Sequence, residues 1–239
     1  MVNILIFDGT SSKDLGLNVA AKNAYDASSL DYSAQAIPGR NGDLLFSNNR
    51  NGNISLTYTL MWRKDAQNKM MAVRRWIYRN RGKYCRLEDG YDPEVFRMAY
   101  FVGPFQANTF RNSSGTVDVT FSAKPQRFLK SGETPIVLTA SSVLENPGEE
   151  AKPLIRIYGK GTLTIENSIV EVKEAGNEFI DLDCDTMNAS ERGLNRNDLI
   201  TVKSGLTEHM FPMLATGQNE ISLGAGITKV EITPRWWII

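Results

Sequence analysis

Ile227-Thr-Lys-Val-Glu-Ile-Thr-Pro-Arg-Trp-Trp-Ile-Ile239 closes the chain, after a Gly-rich turn at Gly224 to Gly226. Val230 and Ile232 alternate with Lys229, Glu231 and Thr233 at the period of a half-buried strand, which is a β and not a helical pattern. Two adjacent tryptophans, Trp236 and Trp237, follow, half of the four in the chain. Large aromatics bury about 150 to 250 Å² each, and leaving two of them in water would cost several kcal/mol. The closing segment is therefore expected to pack on a domain or a neighbour, with Trp236 and Trp237 as structural anchors.

Working outward, most of the sequence has the same character. Asn53 to Leu60 alternates Ile54, Leu56, Tyr58 and Leu60 against Ser55, Thr57 and Thr59, behind an Arg50-Asn-Gly52 turn. Gly115 to Pro125 alternates Val117, Val119 and Phe121 against Asp118 and Thr120, and Pro125 ends it. Further strands are expected at Ile169 to Val172, Glu178 to Leu182, Leu199 to Val202 and Asn219 to Leu223. Leu154 to Tyr158, Gly159-Lys-Gly161 and Thr162 to Glu166 read as a hairpin whose Ile155 and Ile157 match Leu163 and Ile165 across the turn. One helix interrupts, from Asp65 to about Arg79, with Asp65 as N-cap and Ala66, Met70, Val73 and Ile77 as its apolar stripe.

The chain has 239 residues, more than the common domain size of roughly 100 to 150. Between Lys130 and Pro153, Gly132, Pro135, Pro147, Gly148 and Pro153 surround one short apolar run, which reads as a linker. Two domains are expected, residues 1–133 with the helix and residues 134–239, the second an antiparallel sandwich. The first residues, Met1 to Asp8, lack a basic n-region and read as a first strand, not a signal peptide. No apolar stretch reaches membrane-spanning length, so no membrane insertion is expected. Cys85 and Cys184 lie far apart and read as free thiols of a reducing compartment.

Lys plus Arg number 27 and Asp plus Glu number 27, so the chain has no net charge and no overall basic footprint for nucleic acid. The most basic segment is the helix and its exit, with Lys69, Arg74, Arg75, Arg79, Arg81 and Lys83. A solvated face with cations near the helix C-terminus is the first reading. An inter-subunit or partner surface centred on Arg74, Arg75 and Arg79 is the second, and DNA binding ranks third.

Signals for catalysis are poor. A single histidine, His209, read as a loop residue, supplies no multi-His metal site, and no Cys-x-x-Cys pair replaces it. Asp181, Asp183 and Asp185 start like a calcium loop, but Thr186 stands where glycine is needed and Arg192 where a bidentate Glu is needed. They read as the solvated face of a strand, with a weak cation site as the alternative. Gly159-Lys-Gly161 lacks the strand-to-helix context of a dinucleotide fingerprint. Glu88, Asp89 and Asp92, next to Gly90 and Pro93, read as an exposed turn and not as a glycosidase pair. Trp236 and Trp237 with Tyr158 and Phe211 have a second reading as sugar-stacking platforms, which would make the chain a carbohydrate-binding module. No cofactor is expected, and a tail-associated hydrolase lacks a convergent acid, base and nucleophile.

Several landmarks fall in a familiar order: Phe7-Asp-Gly9, Ile37-Pro-Gly-Arg-Asn-Gly42, Val73-Arg-Arg-Trp-Ile77 and Leu87-Glu-Asp-Gly-Tyr91. Then come Arg97 to Gly103, Val117 to Pro125, Asn146-Pro-Gly-Glu-Glu-Ala-Lys-Pro153, Ile155 to Gly159, Phe211 to Gly217 and Thr233-Pro-Arg-Trp-Trp237. With this order and spacing the chain resembles the distal tail (Dit) family of long, non-contractile bacteriophage tails along almost its whole length. The resemblance implies a mainly β fold: an N-terminal β-sandwich-like domain with one α-helix, then a C-terminal galectin-like β-sandwich. It implies a virion structural protein made in the host cytoplasm and placed at the distal end of the tail. There a homo-hexameric ring would join the tail tube protein to tail tip or baseplate proteins, with receptor-binding proteins as further partners and a central channel for DNA. No catalytic residues come with the resemblance, and fold alone does not confer sugar binding.

Overall fold

Strand alternation builds the first sheet. The computed structural model describes residues 4–23, 28–80, 82–111, 113–173, 178–204 and 211–239. The chain divides into two compact units, Met1–Arg127 and Phe128–Ile238. The first holds β1 (Leu5–Phe7), β2 (Thr10–Ser11), β3 (Asn18–Lys22), β4 (Leu30–Gln35), β5 (Leu44–Asn51), β6 (Ile54–Trp62), α1 (Ala66–Tyr78), β7 (Cys85–Asp89), β8 (Val95–Phe101), β9 (Gln106–Phe110) and β10 (Ser114–Ala123).

These strands pair in the order β2-β1-β7-β8-β10-β6-β3, with β9 lying beside the first half of β10. β6 and β10 run antiparallel from Ile54 opposite Ala123 to Trp62 opposite Gly115. That register puts Leu56, Tyr58 and Leu60 on the same buried face as Val117, Val119 and Phe121. Helix α1 lays Ala66, Val73, Trp76 and Ile77 into this core. Trp76 was not part of the expected stripe. It follows Val73 by three residues, and its indole Nε1 donates to the Phe7 carbonyl at 2.9 Å, which ties the helix to β1.

Asp65 precedes the helix but does not cap it. The residue is left-handed, with φ 60° and ψ 51°, and its side chain makes no capping bond. Its carboxylate accepts instead from Asn68 Nδ2 at 2.9 and 3.0 Å.

β4 and β5 form a separate two-stranded antiparallel sheet. The Ile37-Pro-Gly-Arg-Asn-Gly42 turn lies between them, at the tip of the hairpin. Its glycines supply the left-handed backbone that a tight turn needs, with φ of 78° at Gly39 and 82° at Gly42.

The second unit opens with β11 (Arg127–Leu129), a 3-10 turn at Lys130–Glu133, β12 (Ile136–Leu138), β13 (Ser142–Asn146), β14 (Leu154–Gly159), β15 (Gly161–Ile165) and β16 (Ser168–Val172). It continues with β17 (Ile180–Asp183), β18 (Asn188–Glu191), β19 (Leu194–Asn195), β20 (Ile200–Ser204), β21 (Gly217–Leu223), β22 (Ile227–Thr233) and β23 (Trp237–Ile238). Two antiparallel sheets result, ordered β12-β22-β14-β17-β18-β19 and β13-β21-β15-β16-β20. Their inner faces share one core of Ile155, Ile157, Ile180, Leu182, Val230 and Ile232 with Leu163, Ile165, Val170, Val172 and Ile221.

The expected hairpin at Gly159-Lys-Gly161 is corrected by this topology. β14 pairs with β17 and β22, whereas β15 pairs with β16 and β21, so the chain passes from one sheet to the other at this point. Ile155 and Ile157 belong to a different sheet from Leu163 and Ile165. Gly159 has φ 94°, and a Cβ there would sit 2.1 Å from the Gly226 carbonyl oxygen, so only glycine lets the two turns approach.

Candidate functional site

Arg74, Arg75 and Arg79 sit on the outer side of α1, and all three are exposed. Arg75 and Arg79 are one turn apart, so their guanidinium groups lie along one edge of the helix. Lys69 does not join them, because its ammonium bends back to donate to the Leu15 carbonyl at 2.5 Å. Lys83 is exposed beyond the helix, and Arg81 lies outside the described residues, as does His209.

Trp236 and Trp237 belong to the second unit, where three loops meet. Trp236 is 5% exposed and lies in the sandwich core, and Trp237 packs against the edge of that core. Leu129 N–H donates to the Trp236 carbonyl at 2.9 Å, and Arg235 N–H donates to the Gly132 carbonyl at 2.9 Å. A Cβ on Gly132 would lie 2.3 Å from the Trp236 nitrogen. Trp237 is held from the other side. Its Nε1 donates to the Glu150 carbonyl at 2.8 Å, and its carbonyl accepts from the Glu149 N–H at 2.8 Å.

Asn146 organises the facing loop. Its amide donates to the carbonyls of Glu149 and Leu214 at 2.8 and 3.1 Å and accepts from the Gly148 N–H at 2.9 Å. A Cβ on Gly148 would meet the Trp237 carbonyl oxygen at 2.1 Å. Ala151 bridges Leu214 in the same region. Residues 146–153, 211–217 and 233–237 are thus interlocked, although they are remote in sequence.

The acidic clusters are occupied structurally. Asp181 takes both Nε and Nη2 of Arg156, at 2.7 and 3.0 Å, and Asp183 takes both Nη atoms of Arg235, at 2.7 and 3.1 Å. The Arg235 bonds hold the Asp183 carboxyl below its ordinary range, against a smaller opposing effect of burial. Asp185 faces Lys152 at 3.7 Å. Leu182 and Cys184 point inward between them, as the strand reading required, and burial pushes the Cys184 thiol up to about 12. Cys85 and Cys184 are both free and buried. Among the described residues no group of three or more metal-ligating side chains converges.

Asp89 departs from the expected exposed turn. Its side chain is buried in the first unit, where Lys22 Nζ donates to it at 2.7 Å and the Tyr58 hydroxyl at 2.5 Å. Its other oxygen accepts the backbone N–H groups of Tyr91 and Asp92 at 2.9 and 3.1 Å. Burial alone would raise the carboxyl's pKa, but the bonds from Lys22, Tyr58 and Tyr91 outweigh it and hold the group below its ordinary value. Burial, followed by the negative charge of Asp89, pushes the Tyr58 phenol far up. Lys22 came from a strand that the sequence did not announce, so this network was not visible in the spacing of the acids. Asp92 pairs with Arg127, and Glu88 with Arg86 at 2.5 Å.

Tyr158 is not an open platform. Lys229 Nζ lies 3.9 Å from its ring centroid, Phe179 packs at 5.7 Å, and Arg156 stacks on Phe179 at 4.0 Å. The β4–β5 hairpin was also missed as an element. Its signal was the Ile37 to Gly42 turn, flanked by short runs with large apolar residues on both sides.

No protein-family model matches the chain, and no curated protein matches it. Solved structures do. The crystal structure of SPP1 Dit (gp 19.1), a paradigm of the hub adsorption apparatus in phages infecting Gram-positive bacteria, matches with a TM-score of 0.72 at 12% identity, covering 100% of both chains. The phage P2 baseplate in its activated conformation with Ca gives a TM-score of 0.49 at 11% identity over 97% of this chain and 98% of that one. The same baseplate with Sr gives 0.48 at 10% identity, with 97% and 98% covered. At such identities the likeness is one of fold, and for SPP1 Dit it runs the full length: the chain has a mainly β, Dit-like fold from end to end.

Proposed function

We propose that this chain is a structural hub of a phage tail. In this reading six copies form a ring at the distal end of the tail, joining the tube to tip or baseplate proteins, with receptor-binding proteins attached outside and a channel for DNA within. The single observation that carries the reading is the correspondence with SPP1 Dit over all of both chains, since a partial match would equally fit a shared sandwich module.

The chemistry of the side chains supports a structural over a catalytic role. Asp89, Asp181 and Asp183, the carboxylates best placed for acid–base work, are each committed to a cation and held ionised. A carbohydrate-binding module would need stacked aromatics facing water, and Trp236 and Tyr158 are covered. Arg74, Arg75 and Arg79 form the exposed cationic edge that would meet an acidic face of the next subunit or of the tube. The absence of net charge suits a channel that DNA crosses without adhering, because each phosphate contact would add affinity.

Native mass across a concentration series, with negative-stain imaging of the largest species, tests the proposal. Six-fold rings with a central hole are expected. Particles that never exceed the monomer, alone or with purified tail tube protein, would overturn it.

A further inference from the structure

The β4–β5 hairpin has no adequate reason to be folded in a monomer. A two-stranded sheet is marginal in water unless a third strand or another layer covers it. Its large apolar side chains nevertheless face solvent: Leu30 is 70% exposed, Tyr32 58%, Leu45 64% and Phe46 50%. They are not gathered on one side. Tyr32 and Leu45 share one face, since Leu45 sits opposite Ala34 two residues beyond Tyr32, whereas Phe46, opposite Ser33, occupies the other. A hairpin apolar on both faces fits a slot, not a flat surface. Exposed single apolar residues are ordinary, but four on one thirteen-to-fifteen-residue turn and its strands, at on the order of 100 Å² each, are not.

We propose that this hairpin is an arm that seats in the first unit of a second copy of the same chain. Three observations select that occupant. The arm's ionic groups, Asp31 and Arg50, are already paired at 3.0 Å, so it carries no charged feature with which to choose an oppositely charged partner. The chain has no net charge, so two copies approach without long-range repulsion. The same unit also supplies a different apolar edge: β9 ends at Phe110, 66% exposed, and Val102 lies just before it in sequence, 56% exposed. An arm and a distinct receiving edge on each copy are the two faces that a head-to-tail contact requires, and such a contact closes into a ring when its rotation permits. About 400 Å² of apolar surface on the arm would be roughly half of one side of a standard interface of ~800 Å² per partner. The proposal rests on the hub reading in one respect, that repeated head-to-tail contacts close and do not run on as a filament.

Mixing of two variants tests it. An arm variant, Tyr32→Ser with Leu45→Ser and Phe46→Ser, and an edge variant, Phe110→Ser with Val102→Ser, are prepared with the wild type. Far-UV circular dichroism and thermal midpoint check that each is folded. At a concentration where the wild type is oligomeric, each variant alone is expected to be monomeric. Their equimolar mixture is expected to give a dimer and nothing larger, because it holds one intact arm and one intact edge. An arm variant that keeps the wild-type oligomer would overturn the proposal while leaving six-fold rings, and so the hub reading, intact. Wild-type oligomers that are abolished by the arm variant but are not rings would uphold the arm and sink the hub reading. A wild type that stays monomeric yet captures purified tail tube protein through the arm would reassign the occupant and overturn the second-copy proposal.

Discussion

Two short β segments of this chain carry large apolar side chains and are treated in opposite ways. The closing segment at Trp236 and Trp237 is drawn into the second unit and bonded on both sides, with Trp236 only 5% exposed. The β4–β5 hairpin presents Leu30, Tyr32, Leu45 and Phe46 to water. Apolar content is similar, so composition does not distinguish a segment that completes its own core from one left to be covered by another molecule. What distinguishes them is whether the rest of the unit offers backbone partners and space. Gly132 and Gly148 leave room for the tryptophan segment, whereas β4 and β5 have only each other.

The sharpest way to break this contrast is Trp236→Ala. Removing a buried indole from the sandwich should cost about 4 kcal/mol, read by urea unfolding of the purified chain. A loss below about 1 kcal/mol would mean that the terminal segment is an appendage and the contrast false. Gly148→Ala is expected to act through the same contact, because its methyl would collide with the Trp237 carbonyl.

Asp89→Asn is expected to follow, at about 3 kcal/mol, since it leaves the Lys22 ammonium without its counter-ion in a half-closed site. The pH dependence has a definite sign. The folded carboxyl titrates below its unfolded value of about 3.9, so the folded state binds fewer protons than the unfolded one. Its contribution is fully present above the unfolded pKa and is lost as pH falls through the folded one. Unfolding midpoints measured from pH 6 down to pH 2 should therefore fall more gently in the variant than in the wild type. Parallel curves would remove Asp89 as an acid-sensitive tie.

Smaller effects sharpen the other side of the contrast. Tyr32→Ser with Leu45→Ser and Phe46→Ser should change the unfolding free energy of the dilute monomer by less than about 1 kcal/mol, while changing the oligomer outright. Smallest of all is the triple reversal Arg74→Glu, Arg75→Glu, Arg79→Glu. Monomer stability should stay within about 0.5 kcal/mol, because these side chains are exposed. Six-fold rings in negative stain should disappear, and rings that persist would free the helix face from any role in assembly.

Legibility in the sequence followed locality. The strands at Ile54–Trp62 and Ser114–Ala123 were readable because one buried face imposes a two-residue period on adjacent positions. Helix α1 was readable for the same reason at its own period, though Trp76 and the uncapped Asp65 were not. The role of Asp89 was hidden because its partners, Lys22 and Tyr58, are 67 and 31 residues away. The supposed hairpin at Gly159 to Gly161 misled because two strands joined by a tight turn look alike whether they pair or cross between sheets.

By itself, then, the sequence determined the class of the fold, the positions of most strands, the buried tryptophan segment and the lack of a net charge. Those properties depend on alternation and composition along neighbouring residues, and on the free energy of removing apolar side chains from water. Tertiary structure alone decided which strands share a sheet, that Gly159 is a crossing point, that Asp89 is buried and that the β4–β5 arm is left uncovered. Each of these is set by which distant segments meet, and burial energy depends on the partner that is found as much as on the residue that needs one.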